Sequence, residues 1–90
     1  MEKVSARHIL VPEAKQAENL SLEILTEEDF VKAAQMHSRC PSGHQGGDLG
    51  EFGRGQMVPE FEQAVFALEV GDVSKPVQTQ FGYHIIMRTG

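Results

Sequence analysis

Ninety residues, 40% of them apolar, suffice for one domain spanning residues 1–90 and leave no room for a second core. The formal net charge of −5 is carried by scattered carboxylates with no block of Lys or Arg, which argues against nucleic acid as a partner. No window approaches the roughly 18 continuous apolar residues of a membrane span, and the start Met-Glu-Lys-Val-Ser-Ala-Arg-His lacks a secretory core, so a soluble cytoplasmic protein with no membrane partner is expected.

From Lys3 to Val11, the residues Val4, Ala6, His8 and Leu10 alternate with Ser5, Arg7, Ile9 and Val11, which predicts a strand ended by Pro12. Over Ala14 to Leu25, the residues Ala17, Leu20, Ser21 and Ile24 recur at helical spacing and predict a first helix. Thr26, followed by Glu27, Glu28 and Asp29, marks the start of a second: a hydroxyl placed to accept an amide hydrogen, and carboxylates on the positive end of the dipole. The apolar stripe of this helix is Phe30, Ala33, Ala34 and His37. Pro41-Ser42-Gly43 breaks it and leaves Cys40 just beyond its end.

The stretch from Cys40 to Phe61 holds six of the nine glycines, at 43, 46, 47, 50, 53 and 55, yet also Leu49, Phe52, Met57, Val58 and Phe61. A flexible linker has no use for large apolar side chains, which stabilise a structure only when removed from water, so an ordered loop is expected. Within it Leu49 to Phe52 can form one short strand. Pro59 suits a first helical position, and Phe61, Ala64, Val65 and Leu68 make a third helical face ended by Gly71-Asp72. Val73 to Gln78 and Tyr83 to Arg88 are β-like runs joined by Thr79-Gln80-Phe81-Gly82, a hairpin. Helices on a mainly antiparallel sheet, without regular βαβ alternation, define an α+β domain.

His8 and His84 each fall near the middle of a strand, and they can share a face if the first and last strands are neighbours. Cys40 lies on the loop that would approach them. Three readings follow from these residue types. Structural zinc usually takes four ligands in closely spaced pairs, and here Cys40 and His44 are a near pair with no second, separate pair beside them. A Cys–His nucleophile needs an oriented base and an oxyanion hole. In the third reading the histidines are structural hydrogen-bonding residues and Cys40 is a small buried hydrophobe. A lone cysteine cannot form an internal disulfide, which fits a reducing compartment. Arg54 and Asp48 are expected to pair or to turn the loop, His37 to sit at the core boundary and His44 to be exposed.

Several motifs stand in a fixed order: His8-Ile9-Leu10-Val11, Ser38-Arg39-Cys40-Pro41-Ser42, Gly46-Gly47-Asp48-Leu49-Gly50, Gly55-Gln56-Met57-Val58-Pro59-Glu60-Phe61 and Phe81-Gly82-Tyr83-His84-Ile85-Ile86. With them the chain resembles, over nearly its whole length, a single-domain parvulin-type peptidyl-prolyl cis/trans isomerase. The resemblance implies a four-stranded, mainly antiparallel sheet surrounded by three to four helices, with an active-site groove on its concave side. It implies that His8 and His84 are the paired strand histidines and that Cys40 faces the susceptible bond. It also implies that Thr79 is a hydroxyl near the histidines. Leu49, Met57 and Phe61 match the apolar pocket for the proline ring, and Phe81, at a position that varies between family branches, is added as a substrate contact. No cofactor or metal is expected. The implied partners are proline-containing peptides and unfolded segments, met by a monomer.

The implied chemistry suits these residues. A twisted Xaa–Pro amide is less dipolar than a planar one, so a dry pocket that holds the pyrrolidine ring favours the twisted state without any covalent bond. The phospho-specific branch of the family carries an Arg and Lys cluster after the first strand, whereas here only Pro12, Glu13 and Ala14 separate Val11 from Lys15. Uncharged, apolar residues before proline are therefore the expected preference. Two other classes compete: a peptide-holding chaperone module that does not turn its ligand over, and a Cys–His hydrolase.

Overall fold

The first strand, β1 (Lys3–Val11), is the one on which the sheet is built, and in a computed structural model describing residues 2–90 it is buried on both faces. The chain continues through α1 (Ala14–Glu23), α2 (Glu27–His37), a 3₁₀ turn (Pro41–Gln45), β2 (Asp48–Gly53), α3 (Pro59–Ala67), β3 (Val77–Thr79) and β4 (Gly82–Arg88). The strands lie in the order β2-β1-β4-β3, and every neighbouring pair is antiparallel. The α+β architecture expected from the sequence is the one observed, with three α-helices and the 3₁₀ turn around four strands.

Strand periodicity divides the core in two. Ile9 and Val11 of β1 and Ile85 and Met87 of β4 face α1 and α2, where they meet Ala17, Leu20, Phe30 and Ala34. Val4, Ala6 and Ile86 point the other way, against Phe52 of β2 and Phe61 and Val65 of α3. A central strand covered on both sides reads as an unbroken buried run, which is what His84–Met87 is. Thr26 caps α2 as its hydroxyl suggests: Thr26 Oγ1 accepts from Asp29 N–H at 3.1 Å, and Asp29 Oδ2 accepts from Thr26 N–H at 3.2 Å.

Element boundaries depart from the sequence pattern in several places, among them the end of α2, which stops at His37, three residues before Cys40. Helix α1 stops at Glu23 rather than Leu25, because Ile24 turns inward in extended backbone and Leu25 N–H is already held by Asp29 Oδ2 at 3.0 Å. Helix α3 ends at Ala67, ahead of Gly71-Asp72, with Leu68 extended; the following turn is closed by Asp72, whose carboxylate accepts from Glu69 N–H at 3.2 Å. The third strand is only Val77–Thr79, since Pro76 offers no amide donor. Val73 makes an isolated bridge to Met87, and Ser74 N–H donates to Ile86 O at 2.7 Å. The 3₁₀ turn after α2 was not foreseen; Pro41 begins it and Cys40 caps it. Among the described residues no helix is long and apolar enough to cross a membrane.

Candidate active site: a histidine pair at the head of an apolar groove

The β1–β4 register sets His8 opposite Ile86 and Leu10 opposite His84, so the two histidines stand diagonally on the α3 face of the sheet. Their Nδ1 atoms are 3.0 Å apart and their rings are stacked within 18° of parallel. Phe61, from the first turn of α3, presents itself edge-on to both, at 5.6 Å from His8 and 5.4 Å from His84. Thr79, at the end of β3, pairs with Gly82 across the hairpin, which brings its Oγ1 to 2.8 Å from His84 Nε2. The same oxygen accepts from Phe81 N–H at 3.1 Å.

These contacts form one chain: Phe81 N–H, Thr79 Oγ1, His84 Nε2, His84 Nδ1, His8 Nδ1. Only one proton fits between two Nδ1 atoms at this distance, so each imidazole must be a definite tautomer. If Thr79 donates to His84, the proton between the rings belongs to His84 and His8 carries its own on Nε2. If the direction is reversed, His8 Nε2 is bare. Either way the chain ends at His8 Nε2, which is buried and without a partner. Burial, and then the neighbouring His84, lower the His8 pKa from 6.5 to about 4; burial also lowers that of His84. Both rings are therefore neutral near pH 7, a state in which one proton between them makes the shared hydrogen bond.

Cys40 is brought to the groove by the segment after α2, which fastens to the end of β1. Arg39 N–H donates to Leu10 O at 2.7 Å, while Ser38 Oγ accepts from Leu10 N–H at 3.1 Å and from Cys40 N–H at 3.3 Å. The Ser42 hydroxyl donates to Cys40 Sγ at 3.3 Å. The sulfur's hydrogen-bond partner is thus Ser42 and not a histidine, so the geometry offers no base to a Cys40 nucleophile. Among the described residues no group of His, Cys, Asp and Glu is placed to hold a metal ion. The loop returns alongside β1 at Gly47, whose carbonyl accepts from His8 N–H at 2.9 Å. Its φ is +80°, and a Cβ there would stand 2.1 Å from His8 O, so only glycine permits this approach.

The apolar wall comes from β2, α3 and the loop between them. The β1–β2 register slips between Ala6 and Arg7, because Ala6 faces Gly50 and Arg7 faces Asp48; Leu49 is the extra residue of a bulge. Bulges redirect side chains, and Leu49 lines the groove with Met57, Val58 and Phe61. The loop before α3 is braced by Glu62, which accepts from Gly55 N–H, and by Gln56 Oε1, which accepts from Gly53 N–H at 2.9 Å. Arg54 and Asp48 do not pair with each other. Arg54 reaches Glu2 at 2.9 Å and lies 4.1 Å above the Phe66 ring, and Asp48 turns the backbone by accepting from Gly50 N–H at 2.9 Å.

The resulting groove encloses about 440 Å³ and is lined by His8, Cys40, Leu49, Met57, Phe61, Phe81 and His84, with Thr79 behind His84. All eight residues singled out in the sequence are thus at one place. Phe81 stands at the rim, 62% exposed. Leu10, Gln56 and Val58 also line the groove; they stand in the sequence motifs with no site role assigned, as do Ser38 and Ser42. Their positions beside Cys40, and the parity of Leu10 with His8, were the available signals.

The groove is thus apolar at one end and ends at the other in a neutral, hydrogen-bonded histidine pair. Comparison with known proteins gives the family. Residues 8–90 match the family model described as Rotamase, PPIC-type PPIase domain, and the chain belongs to that parvulin family. It is 50% identical over 90 residues to the foldase protein PrsA of Caldanaerobacter subterraneus subsp. tengcongensis, covering 99% of this chain and 29% of that protein. It is 51% identical over 76 residues to the peptidyl-prolyl cis-trans isomerase Pin1 of Digitalis lanata, covering 83% of this chain and 64% of that protein. The crystal structure of the peptidylprolyl isomerase PrsA from Bacillus anthracis superimposes with a TM-score of 0.93 at 42% identity, over 98% of this chain and 41% of that one. The chain therefore spans less than a third of the first of these relatives.

Proposed function

We propose that this domain accelerates cis/trans rotation about Xaa–Pro bonds in unfolded or exposed protein segments and so assists folding. The observation that carries the reading is the meeting of the apolar wall of Leu49, Met57 and Phe61 with the neutral His8–His84–Thr79 chain in a single groove. Uncatalysed rotation is slow because the amide has partial double-bond character, with a barrier of about 18–20 kcal/mol. The wall anchors the proline ring while the preceding residue turns, and a site poor in water favours the less dipolar twisted amide over the planar one. The histidines hold the shape and polarity of the groove. Cys40 acts through its bulk and local dipole, its sulfur engaged by Ser42. An acyl-enzyme on Cys40 trapped by mass spectrometry would contradict this.

We further place the domain in the non-phospho-specific branch. Only Pro12 and Glu13 stand between β1 and α1, so no basic loop overhangs the groove, and an apolar residue before proline is preferred. Faster turnover of phosphoserine-proline than of leucine-proline peptides would contradict that preference. A monomer in the cytoplasm, acting without nucleic acid or membrane, completes the proposal. It is supported by the single unpaired thiol and the dispersed acidic charge, and cell fractionation and light scattering check it. Two-dimensional exchange NMR on a leucine-proline peptide tests the activity itself. Catalytic amounts of protein should produce cis/trans cross-peaks, whereas line broadening without faster exchange would reassign the domain as a peptide-holding module.

A further inference from the structure

We infer that Arg7 is a positioning residue for the groove, acting as a clamp that seats the turn between Cys40 and Gly47 against β1; its catalytic consequence rests on the isomerase reading above. Arg7 follows Ala6 at the β1–β2 bulge and neighbours His8, with its side chain on the opposite face of the sheet from the histidines. Its guanidinium is largely enclosed, with 21% of the side chain exposed. Nη1 donates to Gln45 O at 3.2 Å and to Gly46 O at 3.3 Å, and Nε donates to Glu27 Oε2 at 3.1 Å.

One planar cation thereby ties three elements: β1, the first residue of α2 and the last turn before β2. The two carbonyls it holds belong to the two residues before Gly47, whose own carbonyl receives the His8 amide hydrogen. The fit is close on the other side as well, since a Cβ on Gly46 would lie 2.7 Å from Arg7 Nη1. The turn begins at Cys40 and ends at Gly46, so its seat decides where the sulfur stands relative to His8. A lysine cannot reproduce this, because a single ammonium cannot present a fork to two carbonyls and a carboxylate at once.

Amide hydrogen exchange of the whole chain tests the clamp without reference to activity. In Arg7→Ala the His8 amide should exchange about tenfold faster while the Ile85 amide in the central strand β4 is unchanged, and Arg7→Lys should not restore the protection. Should Arg7→Ala fail to fold, Glu27→Gln removes the ionic partner alone and should move the His8 amide in the same direction by a smaller factor. Catalysed exchange of a leucine-proline peptide should fall in step with His8 protection. A His8 amide within about twofold of wild type in these variants, or equal acceleration at His8 and Ile85, would overturn the inference. Loss of His8 protection in a protein whose wild type shows no catalysed exchange would uphold the clamp and refute the isomerase reading instead.

Discussion

His8 Nδ1 and His84 Nδ1 are 3.0 Å apart, each on a central strand of the sheet, and they share one proton. That arrangement excludes a pair with both rings protonated, because each Nδ1 would then carry a hydrogen and two N–H groups would be set against each other. The groove therefore owes its polarity to burial as much as to residue type.

A pH dependence of stability follows. An unfolded histidine takes up a proton near pH 6.5, whereas folded His8 resists to about 4. Its contribution is fully present above the unfolded value, is lost as pH falls toward the folded value, and changes no further below it. At 1.36 kcal/mol per pKa unit, His8 alone should cost the fold about 3 kcal/mol across that window. Urea denaturation from about pH 7 to pH 4, with an NMR titration of His8, checks it; a His8 ring that titrates near its ordinary value contradicts it.

Thr79→Val should break the chain of hydrogen bonds at its outer end. It keeps the shape but leaves His84 Nε2 and Phe81 N–H without their shared oxygen. The expected loss is about 1–3 kcal/mol of stability, with reduced catalysis, and Thr79→Ser should recover most of both. Equal stability of the valine and serine variants would show that the hydroxyl is idle.

Gly47→Ala should be among the most damaging single-atom changes in the chain. The added methyl meets the His8 carbonyl, in a backbone conformation that alanine avoids, and relief requires the loop to leave β1. A thermal melt should fall sharply, by the equivalent of at least about 2 kcal/mol, while Gly55→Ala, whose Cβ would meet nothing within 4 Å, costs less. Similar melts for the two variants would contradict the close approach.

The sequence already showed much of this site, and the reason is local. Alternation along β1 put His8 and Leu10 on one face, and the Thr26 cap located the start of α2 to the residue, though not its end at His37. The union of His8 with His84, however, depends on β1 and β4 being neighbours, which no local pattern encodes; there the family resemblance supplied what periodicity could not. Leu49 was legible as an apolar residue but not as a bulge, since the register slip at Ala6 and Arg7 exists only between strands. Likewise Pro76 was visible, but its effect in shortening β3 depended on which partner would take up the pairing, and Ser74 did so. Arg7 showed no sign of its role, because its partners lie about 20 and 40 residues away in the chain.

The central claim is that an apolar pocket holding the proline ring drives the isomerisation, and Met57→Ala tests it most directly. Met57 lines the groove from a loop and is not part of the fully buried core, so its truncation should leave the fold intact. Exchange NMR on a leucine-proline peptide should show catalysed cis/trans exchange with the wild type and a fall of about tenfold or more in kcat/KM with the variant, equivalent to about 1.4 kcal/mol of transition-state stabilisation. Catalysis undiminished in a folded Met57→Ala protein would contradict the account.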